Sequence, residues 1–159
     1  MPNQDGSPTV PQLSYDEAVR SIGQQRGQLD ELRTRTGTLI SAASIATAFL
    51  GATAAAHTGK RFPLEFLWAL IPLGLAIVLC VVILWPYKGW SFALRADAIQ
   101  ALDGQPPPQV QLGLAKILET ANDANDIRIK WMSRAFAIAA LSMLWSIIAW
   151  IVIIESPVM

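Results

Sequence analysis

The stretch LDELRTRTGTLISAASIATAFLGATAAA, residues 29–56, decides the class of this protein. Its first turns carry Asp30, Glu31, Arg33 and Arg35, and from residue 37 to residue 56 there is no charge. At about 1.5 Å of helical rise per residue, some twenty uncharged residues cover a hydrocarbon core of about 30 Å. Those residues are mostly Ala, Gly, Ser and Thr. The length reads as a membrane span, while the composition reads as a helix that packs against protein.

Two further segments, 66–85 and 135–154, are equally long and uncharged, and they are rich in Leu, Ile and Val. The 159-residue chain is 53% hydrophobic and only 15% charged, with a mean hydropathy of +0.40, outside the range of soluble domains. The fold class expected is an all-α membrane protein with three transmembrane helices and two long cytoplasmic helical extensions. The formal net charge of zero hides an asymmetry. With three crossings, Arg20, Arg26, Arg33, Arg35, Lys88, Arg95, Lys116, Arg128, Lys130 and Arg134 share one side, and Lys60 and Arg61 the other. Basic residues gather on the cytoplasmic side, which puts the N-terminus and the long second loop inside and the C-terminus outside.

The organisation expected along the chain follows. Residues 1–12 are a polar, Pro-containing, disordered tail without the apolar core of a signal peptide. Residues 13–36 form an amphipathic helix, opened by a capping box of Ser14 and Glu17 with Leu13 and Ala18 as its staple. Along it a heptad runs through Tyr15, Ala18, Ile22, Gln25, Leu29, Leu32, Thr36 and Leu39, flanked by Asp16–Arg20 and Glu31–Arg35 pairs. Tyr15, Ile22, Leu29 and Leu32 are the candidate association residues, and the helix is expected to continue into the first span as one rod. The same face could instead be a solvated helix folded onto its own chain.

The first span occupies 37–56, an external loop 57–65 and the second span 66–86, with Pro72 and Gly74 kinking it and Pro86 ending it. Glu65 falls in its first turn, where a carboxylate suits the helix dipole. Residues 87–134 are cytoplasmic and helical. They hold a short amphipathic helix over 91–102, a stiff proline linker at 104–109, and a long helix from Val110 with Leu114, Ile117, Leu118, Ala121, Ala124 and Trp131 on one face. The third span is 135–154, followed by an external tail at 155–159. Trp68, Trp85, Trp131 and Trp150 sit where interfacial anchors belong.

Few residue patterns suggest chemistry. The one histidine, His57, is placed at the outer end of the first span, which speaks against a His-based triad, and one histidine cannot make a two-His metal site within one chain. The HTGKRF stretch lacks the upstream Gly and the Ser/Thr of a phosphate loop, and NDANDIRI fails as a calcium loop at its third ligand position. Cys80 lies mid-span with no disulfide partner. No catalytic residue, cofactor-binding residue or metal ligand is assigned, and no enzymatic activity, cofactor or nucleic-acid partner is expected.

Within the first span the small residues are ordered. Gly37, Ser41, Ser44, Ala48, Gly51 and Ala55 recur at four-three spacing, a small-xxx-small stripe along which helix backbones approach closely and whose hydroxyls can line water. These are the candidate helix-packing or pore-lining residues, and they point to a homo-oligomer surrounded by membrane lipid.

The arrangement of a helix running into a small-residue span, a short outer loop, a Leu/Ile/Val span ending in Pro, and a long helix with AND and IKWMSRAFAIAALS leading into a last span resembles the small membrane effectors of bacterial anti-phage signalling, of the Pycsar-associated and SLATT kinds. The resemblance covers residues 30–154 and is one of layout. It implies a multi-pass inner-membrane protein that impairs the membrane after a cytoplasmic protein or nucleotide signal, and it assigns none of these residues to nucleotide binding. The alternative is a non-catalytic membrane anchor or scaffold whose cytoplasmic helices recruit a partner.

Overall fold

The computed structural model describes residues 8–58, 64, 66–87, 90, 92, 99–100 and 102–155. These are helical nearly throughout, with no strand among them, and form α1 (Val10–Thr58), α2 (Phe66–Leu84) and α3 (Pro107–Glu155). All three are long and apolar enough to cross a membrane. Helices α1 and α3 each have 49 residues and are about 70 Å long, more than twice a hydrocarbon core, so part of each lies outside any bilayer it crosses. Residues 1–7 of the expected tail, Glu65 and most of the expected loop, most of the expected helix over 91–102, and residues 156–159 lie outside the described residues.

Both long helices start earlier than expected, because proline is tolerated in a first turn whose N–H groups have no intrahelical partner. In α1 the Leu13 amide donates to the Thr9 carbonyl at 3.0 Å, which leaves Pro11 in the first turn. Ser14 is already inside the helix and donates back to the Val10 carbonyl at 3.0 Å, so it does not cap with Glu17. In α3 the expected proline linker is instead a helix start, with the Gln109 and Val110 amides bonding the Pro106 carbonyl at 2.9 and 3.1 Å. The turn before it uses Gly104 at φ +77°, whose amide donates to the Asp103 carboxylate at 3.0 Å.

The chain divides into two compact units, Met1–Asp30 with Tyr87–Lys130, and Glu31–Pro86 with Trp131–Met159. In the first, α1 buries Ile22, Gln25 and Leu29, and α3 buries Ala115, Leu118, Asn125 and Ile129. This α3 face overlaps the one that apolar content suggested, with Leu118 buried and Leu114 and Ala121 half-buried, but it is rotated from it. Ile117 is exposed and Ala124 turns outward, while the amide of Asn125 lies inside.

The second unit is a three-helix bundle in up-down-up order. One cluster joins Ala43 of α1, Leu73, Ala76 and Cys80 of α2, and Ala139 and Met143 of α3. The next joins Ala54, Phe66, Ala69 and Trp150, so α1 and α3 run parallel and α2 opposes them. Alanines at these contacts bring backbones close, which is the packing available where lipid supplies no hydrophobic driving force. Ser146, buried in α3, donates to the Ala69 carbonyl at 2.8 Å. That carbonyl belongs to the turn of α2 that precedes Pro72, next to the Trp68 carbonyl whose helical donor the proline removes.

Candidate functional site

The heptad of α1 finds its partner within the chain. Ile22 and Leu29 are 5% and 2% exposed, Tyr15 and Leu32 are half-buried, and Gln25 and Thr36 on the same seam are buried. In the first unit, Ser21 Oγ donates to Asn122 Oδ1 at 3.0 Å and Gln25 Nε2 to the Asn122 carbonyl at 2.8 Å. Two long helices are therefore joined by a polar layer in an apolar seam, the arrangement that fixes register and orientation in paired helices. Gln25 Oε1 is buried there without a hydrogen-bond partner. The face read as an association surface is thus covered by α3 in this chain. Of the ion pairs read beside it, Glu31–Arg35 forms, and Arg20 pairs with Glu17 at 3.7 Å in place of Asp16. Both are exposed, where such pairs contribute little.

The small-residue stripe is placed differently. Ser41, Ser44, Ala48 and Ala55 are exposed, and Gly37 and Gly51 have nothing within 4 Å of where a Cβ would stand. The packed face of the span lies one residue earlier at each step. Thr36, Ala43 and Ala54 are buried, and Ile40, Thr47 and Leu50 are half-buried. The seam therefore continues along one side of α1, and the stripe borders it as an open face. Its hydroxyls are satisfied within the helix, since Ser41 bonds the Gly37 carbonyl at 3.1 Å and Ser44 the Ile40 carbonyl at 2.9 Å. Of the three apolar stretches, that of α1 is the least apolar and also the least covered by its own chain, 11% against 28% for α2 and 22% for α3.

Three of the four tryptophans read as interfacial anchors are well exposed, namely Trp68, Trp85 and Trp131. Trp150 departs from them. It is 4% exposed and meets Phe66 edge-on, with centroids 5.2 Å apart at 61°, so its ring fills the bundle rather than a lipid head-group layer. A group that sequence reading did not single out lies in the first unit, where Trp90 stacks on Phe92 at 5.3 Å and Arg128 lies over the Trp90 ring at 5.8 Å. Such a cation–aromatic contact is visible in the sequence only as isolated residues. Among the described residues no three His, Cys, Asp or Glu side chains come together as metal ligands.

Comparison of the chain with known protein families, curated proteins and solved structures returned no match.

Proposed function

We propose that this is a self-associating inner-membrane protein with its N-terminus and second loop in the cytoplasm and its C-terminus outside, acting as a membrane-disrupting effector driven by a cytoplasmic signal. The observation that carries this reading is the mismatch at the first span. The helix with the most Gly, Ala, Ser and Thr presents most of its surface outward, and its open stripe is shaped for close approach by another helix. Lipid fills grooves beside small residues poorly, whereas a second copy fills them with backbone. The paired α1 and α3 segments form the two cytoplasmic extensions in this reading, and their polar layer gives a movement at the far end a defined register in which to be transmitted.

Expression in a bacterial host tests the proposal. The parent chain should arrest growth and admit a membrane-impermeant dye, and Gly51→Leu should abolish both while still inserting. An anchor or scaffold is the second reading, favoured by Val19, Leu112 and Ile127, large apolar side chains exposed outside the uncharged stretches. A scaffold admits no dye at any expression level, and that result would overturn the effector reading.

A further inference from the structure

We infer that the arginine- and tryptophan-bearing end of the three-helix bundle is a binding site for the head-group phosphates of anionic phospholipids. The inference rests on the helices lying in a bilayer and on no reading of what the protein does there. The two contact layers of the bundle fix its direction, from Ala43, Cys80 and Ala139 in one layer to Ala54, Phe66 and Trp150 in the other. Continued backwards past the first layer, α3 passes Arg134, the helices reach Thr36, Ile83 and Met132, all buried, and beyond them lie Arg33 on α1, Trp85 after α2 and Trp131 on α3. Three helices thus bring two guanidinium groups and two indoles to one end of a single unit.

The polar groups at this end are built to accept an anion. Arg33 is half-buried with its Nε enclosed by the chain, so an anion from outside meets the terminal nitrogens of its guanidinium group. Arg35 differs, being already engaged by Glu31. Trp85 and Trp131 are 60% and 51% exposed, which leaves their rings available at the depth where lipid glycerol and phosphate lie. Guanidinium groups match phosphate oxygens in paired geometry, and each basic residue near an anionic leaflet favours such lipid by about fivefold.

The test uses the full chain in vesicles of phosphatidylcholine with a fixed fraction of acyl-brominated lipid, either phosphatidylglycerol or phosphatidylcholine, and reads quenching of tryptophan fluorescence. Brominated phosphatidylglycerol should quench several-fold more effectively than brominated phosphatidylcholine. That preference should fall to near unity in the Arg33→Gln, Arg134→Gln double variant and persist in the Arg33→Lys, Arg134→Lys variant. Carbonate extraction and helical circular dichroism verify that each variant is inserted and folded. Equal quenching by the two lipids in the parent, or an undiminished preference in the glutamine variant, overturns the inference. Loss of the preference on adding inorganic phosphate also overturns it, by showing that the site takes a free anion instead of a lipid.

Discussion

Gln25 of α1 donates its side-chain amide to the main-chain carbonyl of Asn122 in α3 at 2.8 Å, and this bond sits within a buried seam otherwise lined by Ile22, Leu29, Leu118 and Ile129. A buried amide that bonds across two helices is satisfied in one register, whereas an apolar side chain accepts several. Because the other amide atom, Oε1, is buried unmatched, Gln25→Leu removes one bond and one unsatisfied acceptor together. The expected stability change is therefore within ~1 kcal/mol, but the register should loosen. With Cys80 replaced by Ala, a cysteine at position 18 should form disulfides with one of positions 111, 115 and 118 in the parent. Spread of the disulfide over all three is the expected outcome in Gln25→Leu.

Leu29 tests whether the seam belongs to one chain. At 2% exposure, Leu29→Asp places a carboxylate between α1 and α3, and the loss should exceed ~3 kcal/mol from removed packing and a desolvated charge. Limited proteolysis should then cut the N-terminal half of α1 in monomers. Val19→Asp on the exposed side should change protection little, within ~0.5 kcal/mol. If instead Leu29→Asp dissolves oligomers while each monomer keeps its protection, the seam joins copies.

What the sequence made legible and what it hid follow from the same physics. Long uncharged runs mark membrane-length helices because a bilayer imposes a length, and the heptad from Tyr15 to Leu39 marks the buried side of α1 because 3.5-residue spacing keeps one side facing a neighbour. Spacing does not name the neighbour, which left a second copy and the chain itself both open, and the apolar face expected on α3 was right at Leu118 but included the exposed Ile117 and Trp131 and omitted the buried Asn125. The stripe from Gly37 to Ala55 shows the same limit. Alanines lie on both sides of it, so composition alone does not separate the packed face at Ala43 and Ala54 from the open face one residue on. The proline-rich starts were hidden because proline excluded from a helix interior is accepted in its first turn.

Ser146→Ala tests the inter-helix bond within the bundle. Losing the 2.8 Å donation to the Ala69 carbonyl should lower bundle stability by ~0.5–2 kcal/mol, the range for hydroxyl bonds between membrane helices. Denaturation in mixed micelles, followed by circular dichroism, measures it. Ser44→Ala, whose hydroxyl bonds its own helix at an exposed position, is the control and should leave the midpoint unchanged.

The turn into α3 depends on a backbone conformation. Gly104 at φ +77° lies where a side chain costs ~1 kcal/mol, so Gly104→Ala should destabilise the first unit by about that amount. Gly104→Asn should cost less, because Asn tolerates the left-handed region. Equal midpoints for all three proteins in thermal denaturation would show that the turn carries no strain.

Gly51 and Ala54 are three residues apart in one span and should respond oppositely to the same substitution. Ala54 is fully buried against Phe66, Ala69 and Trp150, so Ala54→Leu overpacks the single chain and should cost ~1–3 kcal/mol of bundle stability. Gly51 has nothing within 4 Å of an added Cβ, so Gly51→Leu leaves the chain's own fold intact and makes the span more apolar. Any loss of assembly in Gly51→Leu must then arise between copies, where a larger side chain separates two closely packed backbones. Crosslinking in membranes, with the unfolding midpoint measured in parallel, distinguishes the two positions. Gly51→Leu should keep the midpoint and lose the crosslinked oligomer, whereas Ala54→Leu should lower the midpoint. If Gly51→Leu crosslinks like the parent, the stripe faces lipid and self-association through the first span is excluded.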